Sequence, residues 1–315
     1  MSADQAPLWI VAGTLLASSA GWLMGGIPPW ILYIPWALSV LFFGLPHGAC
    51  DHVIWASLRG RPLRFLPVLS GYVAVMALYA LLWYFLPALS AAAFVAMTIW
   101  HWGSADATRS FKRAGALWPR ALWFLGSIFR GILPMLAPAV LYADVVLSIV
   151  AGWSPGIDQA DLMAMMPAGY WLALIVFAAQ VGWLMVMHRI GAPIKEELGE
   201  TLLLTVLLTA VHPLVSVGIY FTFWHAWYHD RRLRLWYEST TIGLVDRSKR
   251  RDQVIIMIIT LLGLGALLYL LPPGRSTLSV YLVAISIMTM PHMIVVWLMD
   301  GRESTLLSTA PVQTP

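Results

Sequence analysis

The sequence predicts an all-α, polytopic helical membrane protein, with about eight or nine transmembrane helices at about 20 residues per crossing around a central histidine metal site. Three observations predict it. The 315 residues are 60% hydrophobic and only 11% charged, whereas soluble domains carry about 25% charged residues. The apolar residues come in blocks long enough to cross a bilayer. Histidines recur inside those blocks, where an ionisable side chain is costly and reads as functional.

The spans read, in order, 8–25, 30–57, 65–86, 88–109, 120–150, 167–187, 201–230, 253–272 and 277–299. The first is not a cleavable signal, because "MSADQAP" holds Asp4 and no Lys or Arg before the apolar run. The second carries "GLPHGACDH", in which Pro46 and Gly48 bracket His47. The third and fourth are joined by the short "LPALS", and the fourth contains "WHWGSAD". Segment 120–150 is interrupted by Pro134 and Pro138, and proline bends a helix by removing a hydrogen bond. It is read as one long, kinked crossing. Span 201–230 ends in "FTFWHAWYHD", and span 277–299 contains "PHM". The chain is read as a single membrane domain over 1–315, with 1–29 an additional N-terminal span and 301–315 a flexible tail.

Charge supplies the sidedness. The net charge of +4 is no sign of nucleic-acid binding, because the basic residues concentrate between apolar spans. Arg59, Arg61 and Arg64, then Arg109, Lys112 and Arg113, mark two connectors as cytoplasmic, and "LPALS" between them as external. The connector 230–252 holds seven basic and four acidic residues and is placed with them. Multi-pass residence in the cell membrane follows. The one cysteine, Cys50, rules out an intrachain disulfide and a cysteine-based metal cluster.

On this topology His47, His101, His225, His229 and His292 fall at one depth. His225 and His229 are four apart, so they share one helix face. Alone, each is equally well an interhelical hydrogen-bonding group. Together they point to a metal site of imidazoles, which suits Zn, Cu, Fe or Ni. Asp51 and Asp106, each about a turn or so from a histidine, are candidates to hold a ligand's second ring nitrogen; each is also readable as a helix-end charge. Trp100, Trp102, Trp224 and Trp227, four of 17 tryptophans, flank the histidines as aromatic walls. Tyr220 is read as a wall residue, His52 and His188 as surface residues, His212 as a weak candidate for pocket lining, and His292 as lining or capping the site.

"GLPHGACDH", "WHWGSAD", "YFTFWHAWYH" and "PHM" stand in the order and spacing of the Brp/Blh family, which this chain resembles over about residues 38 to 300. These are integral membrane β-carotene 15,15′-dioxygenases associated with microbial rhodopsins. The resemblance implies a catalytic core over 30–300 and His47, His101, His225 and His229 as catalytic ligands of Fe(2+). It implies β-carotene and O2 as substrates, retinal as product, surrounding membrane lipid, and a functional link to a rhodopsin. Asp51, Asp106 and His292 match neighbouring motif positions. The chain departs from the family's pattern at Trp102, and at Ala226, Trp227 and Tyr228 between the last two histidines. Those departures bear on the pocket's shape and so on the carotenoid.

Two rival classes are a histidine-box di-iron hydroxylase or desaturase and a carotenoid-binding or transport protein without catalysis. The di-iron enzymes use more histidines, with adjacent pairs; this chain has eight and no "HH". A transporter needs polar residues along a through-path, whereas these histidines gather at one depth.

Overall fold

The computed structural model describes residues 5–23, 26–39, 48–49, 51–60, 65–114, 120–153, 159–164, 166–240, 247–269 and 277–309. Every regular element among them is helical. In chain order they are α1 (Ala6–Leu23), a 3-10 turn (Pro29–Tyr33) leading into α2 (Ile34–Leu38), α3 (Asp51–Arg59), α4 (Phe65–Phe85) and α5 (Pro87–Ala114). Then follow α6 (Arg120–Leu141), α7 (Ala143–Ala151), α8 (Gln159–Ala164), α9 (Met166–Arg189) and α10 (Ile194–Ala210). The last group is α11 (Pro213–Ile219), a π-helical stretch (Tyr220–Ala226), α12 (Trp227–Thr240), α13 (Arg247–Tyr269) and α14 (Thr277–Thr309).

Four helices among the described residues are long and apolar enough to cross a membrane: Leu66–Phe85, Arg120–Leu141, Gly169–Arg189 and Thr277–Arg302. Their outer faces are bare hydrocarbon, with Leu78, Phe177 and Trp297 all exposed. Lipid-facing helices need no polar exterior, because every backbone group is satisfied within the helix.

α5 and α6 form the scaffold, packed antiparallel along their length. Two glycines let the backbones touch. A Cβ on Gly103 would stand 1.7 Å from the Ser127 carbonyl oxygen, and one on Gly131 would stand 1.7 Å from that of Ile99. α9 joins the outer side of α6, where the Trp183 ring lies over Gly126 and the Gln180 amide donates to the Phe129 carbonyl.

Two features differ from the sequence reading. First, α6 runs unbroken through Pro134 and Pro138 and stops at Leu141. The two prolines are four apart, so both missing N–H groups lie on one face, the face that lines the central cavity. The break comes instead at Tyr142, at φ −128° and ψ 48°, before the short α7.

Second, 201–230 is not one crossing but two antiparallel helices. Pro213 holds the residue before it extended, and His212 (φ −46°, ψ 132°) turns the chain while its Nδ1 accepts the Leu214 N–H at 3.3 Å. Glu200 and Tyr228 accordingly meet the same side chain, Arg109, from opposite strands of the hairpin. The reversal also corrects the count. One crossing in α6 and one in α9 return the chain to its basic end, so a single 201–230 crossing would have carried 230–252 away from it.

Of the tail expected from 301, residues 301–309 continue α14. Of the expected span 30–57, residues 40–47 and 50 lie outside the described residues, and 30–38 and 51–57 fall in the 3-10 turn, α2 and α3. α1, beyond the expected core, is part of the packing, since Val11 is fully buried among Leu204, Leu207 and Leu208 of α10.

The basic end is closed by ion pairs. Arg109 and Arg113 of α5 and Arg130 of α6 surround Glu197 and Glu200 of α10, at 2.6 to 3.6 Å. Arg130 also donates to the Thr201 hydroxyl at 2.8 Å. Buried charges persist only when paired and hydrogen-bonded, and this set cross-links three helices just below the histidines. Arg130, a charge inside an apolar span, was the sequence signal for it.

Candidate functional site

Four histidines from four elements meet in the middle of the bundle. His101 comes from α5, His225 from the π-helical stretch, His229 from α12 and His292 from α14. All four are buried, none more than 4% exposed. Their ring centres stand 4.7 Å apart for His101 and His225, 5.5 Å for His101 and His229, and 5.8 Å for His225 and His229. His292 lies 5.1 Å from His101 and 5.5 Å from His229. The Nε2 atoms of His101 and His225 are 3.1 Å apart. Among the described residues no three such side chains are yet close enough to close on one ion. His47 lies outside the described residues.

The helix that carries His225 and His229 explains the placement. Its residues fall into two adjacent stripes. Phe221, His225 and His229 form one, with the two imidazoles nearly parallel at 11° and Phe221 stacked on His225 at 12°. Tyr220, Trp224 and Tyr228 form the other. Tyr220 Oη donates to Asp106 Oδ2 at 3.2 Å and Trp224 Nε1 donates to Asp106 Oδ1 at 3.3 Å. The Arg109 guanidinium lies over Trp224 and Tyr228, 4.8 and 3.9 Å from their ring centres. The π-helical turns, which are uncommon and favour functional sites, sit where both stripes must be served at once. Asp106 thus anchors the aromatic stripe, and through it fixes the angle at which the histidine stripe faces α5.

Asp51 meets His292 and not His101, His225 or His229 among the contacts of the cluster. Its Oδ1 and Oδ2 lie 2.8 and 3.0 Å from His292 Nδ1, and Tyr72 Oη donates to Oδ2 at 3.0 Å.

A cavity of about 600 Å³ opens from the histidines toward the far end of the bundle. His101, His292, Asp51 and His52 line it at one end; Trp36, Phe94, Trp153 and Tyr281 line it farther out. Threonines that line it turn their hydroxyls back to their own helix, Thr98 to Phe94 and Thr260 to Ile256 at 2.8 Å each, and so present methyl groups. Two lining residues, Val73 of α4 and Ile259 of α13, are 52% and 58% exposed.

Of the four tryptophans expected as walls, Trp102 alone lines the cavity among its described residues, 5.9 Å from the His225 ring. Trp100 packs on Trp123 and Phe124, and Trp224 faces Arg109. Trp227, half-buried, belongs to neither wall nor stripe. The alternation of helix faces separates them: residues one or two apart point to different neighbours. Tyr220, expected in the wall, is buried against Asp106 instead, and His52, expected at the surface, lines the cavity with its Nδ1 3.0 Å from the Ala49 carbonyl oxygen. His188 is exposed at the end of α9, as expected. Trp36, Tyr72 and Phe221 were missed. Nothing in their local sequence sets them apart from packing residues; only the fold brings them to the cavity.

Comparisons with known proteins point to one family. A family model described as beta-carotene 15,15′-dioxygenase matches residues 38–300. A Halobacterium salinarum protein named "Probable beta-carotene 15,15′-dioxygenase Blh" is 31% identical over 310 residues, covering 89% of this chain and 88% of its own. A protein of uncultured marine bacterium 66A03 named "Beta-carotene 15,15′-dioxygenase" is 24% identical over 290 residues, covering 84% of this chain and 94% of its own. No solved structure matches the chain. The matched segment takes in every histidine of the cluster, both carboxylates and the cavity-lining helices from α3 to α14, and on that match the chain belongs to the β-carotene 15,15′-dioxygenase family.

Proposed function

We propose that the chain is a membrane-embedded dioxygenase that cleaves β-carotene at its central 15,15′ double bond with O2, giving two molecules of retinal. The observation that carries this reading is the apolar cavity of about 600 Å³ with a buried histidine cluster at one end. An apolar cavity with a few convergent polar groups is the form a small-molecule site takes, and a polyene hydrocarbon offers nothing for a polar wall to bind.

The reading assigns one ferrous ion to His47, His101, His225 and His229. The donor set fits. Imidazoles bind iron well, and the 3.1 Å between the His101 and His225 nitrogens is close to the ~3.0–3.4 Å expected of two nitrogens each about 2.1 Å from one ion. When bound, iron supplies the activation of O2 that redox-inert zinc does not.

The chain's own residues do the rest. Trp102 and Phe221 stack at 5.8 Å, and Phe221 continues to Trp36 at 6.5 Å. This column of stacked rings lines the cavity from the histidines outward and guides a polyene along its length. Burial excludes water from the reacting bond. Positioning, and not the polyene's own reactivity, then selects the bond.

Register follows from the column. The unmodified enzyme yields retinal alone from β-carotene, with no longer apocarotenal. Trp102→Ala or Phe221→Ala removes one ring and yields some off-centre product, read by chromatography of the aldehydes. Mixed chain lengths from the unmodified enzyme contradict central cleavage.

The orientation places the basic end, with Arg59, Lys112 and Arg232, at the cytoplasmic face. In a Cys50→Ala background, a cysteine replacing the exposed Lys112 resists an impermeant thiol reagent in intact cells and reacts after permeabilisation. Reaction in intact cells reverses the orientation. The activity itself is tested by expression in a bacterial host that accumulates β-carotene. Bleaching with retinal formation supports the proposal, and unchanged carotene refutes it.

A further inference from the structure

We propose that His292 is a further imidazole ligand of the same ion, oriented for that task by Asp51 and Tyr72. The proposal rests on the reading that His101, His225 and His229 share one metal. Granted that, the spacing extends it to His292. Its ring centre lies 5.1 and 5.5 Å from those of His101 and His229, inside the 4.7–5.8 Å range among the other three. Neither distance separates His292 from the set.

The outer contacts give the ring a single working nitrogen. Both Asp51 oxygens face Nδ1, at 2.8 and 3.0 Å, so Nδ1 carries the proton and donates it. The lone pair is then on Nε2, across the ring from Asp51. Fixing a tautomer through a carboxylate is how metal-binding histidines are held. Tyr72 in turn donates to Asp51 Oδ2 at 3.0 Å and keeps the carboxylate from rotating.

The burial of Asp51 suits this role. It is 3% exposed in an apolar bundle, and a buried carboxylate is costly without compensating charge. A cation on the far side of the imidazole adds such charge through the ring. Sequence reasoning placed His292 only as a lining or capping residue, since it stands in no i,i+4 pair. Pro291 precedes it inside α14, where its missing N–H loosens the helix at the point from which the ring turns inward.

The test uses the full chain in detergent, stripped and reloaded with cobalt(II), whose visible absorption strengthens as ligands are lost. Wild-type chain binds one cobalt with weak absorption. His292→Ala binds it at least about 10- to 100-fold more weakly, the range for losing even an outer partner of a ligand, and absorbs more strongly; added imidazole reverses both changes. Asp51→Asn weakens binding about 10- to 100-fold and leaves the absorption band in place. Tyr72→Phe, which removes one hydroxyl and keeps the packing, weakens it in the same direction, so the proposal stands tested even where His292→Ala fails to fold. Wild-type affinity and spectrum in a folded His292→Ala overturn it, as does wild-type affinity in Tyr72→Phe and Asp51→Asn together; His292 is then a structural partner of Asp51. A wild-type chain that binds no cobalt, or a His225→Ala chain that binds it unchanged, overturns the shared-ion reading itself.

Discussion

Alanine at His225 is expected to empty the metal site and stop β-carotene cleavage. The side chain is 1% exposed, its Nε2 faces that of His101 at 3.1 Å, and its ring lies between Phe221 and His229 in one parallel stripe. Removing it deletes a donor at the centre of the cluster. Iron per chain falls to background and the rate drops more than about 100-fold, because loss of even an outer partner of a ligand costs about 10–100-fold. His188→Ala, at an exposed helix end, leaves both values at wild type. Iron counting also separates the rival enzyme class: one iron per wild-type chain is expected, and two mark a di-iron centre. Near-wild-type iron in a folded His225→Ala chain contradicts the assignment.

The second large effect lies outside the site. Gly131→Ala puts a methyl carbon 1.7 Å from the Ile99 carbonyl oxygen, in the backbone of the facing helix. No rotamer relieves a clash of backbone with Cβ, so α5 and α6 must move apart. Overpacking costs about 1–3 kcal/mol where side chains can yield, and here about 3 kcal/mol or more is expected. The loss registers as a fall in melting temperature in detergent. His101 is two residues from Ile99, so metal affinity falls with it. Gly182→Ala is the control, because a Cβ there meets nothing within 4 Å. Equal melting temperatures for the two variants contradict the close approach of α5 and α6.

How much of this the sequence discloses differs by element. Helical class and apolar exterior follow from composition alone. The pairing of His225 with His229 follows from the period of the helix, and holds at 11° between the rings even at the edge of a π-helical stretch. Gly103 was legible as a point of close approach. The reversal at His212 was also written in the sequence, as a histidine before Pro213, but an apolar run on both sides masked it: hydropathy does not distinguish one long helix from two antiparallel ones. The partner of Asp51 was out of reach. His292 lies 241 residues away, and no local pattern predicts which of several buried histidines a carboxylate will meet. Tryptophan count misled in the same way, because neighbouring residues on a helix face different elements, and Trp102 and Trp224 serve a cavity and an ion pair respectively.

The most direct measurement of the central claim is the product balance of the purified, iron-loaded chain given β-carotene and O2 in detergent. The account predicts two molecules of retinal for each β-carotene consumed, no other aldehyde, and no consumption by the His225→Ala chain. Intact β-carotene after incubation, or aldehydes longer than retinal as main products, contradicts it.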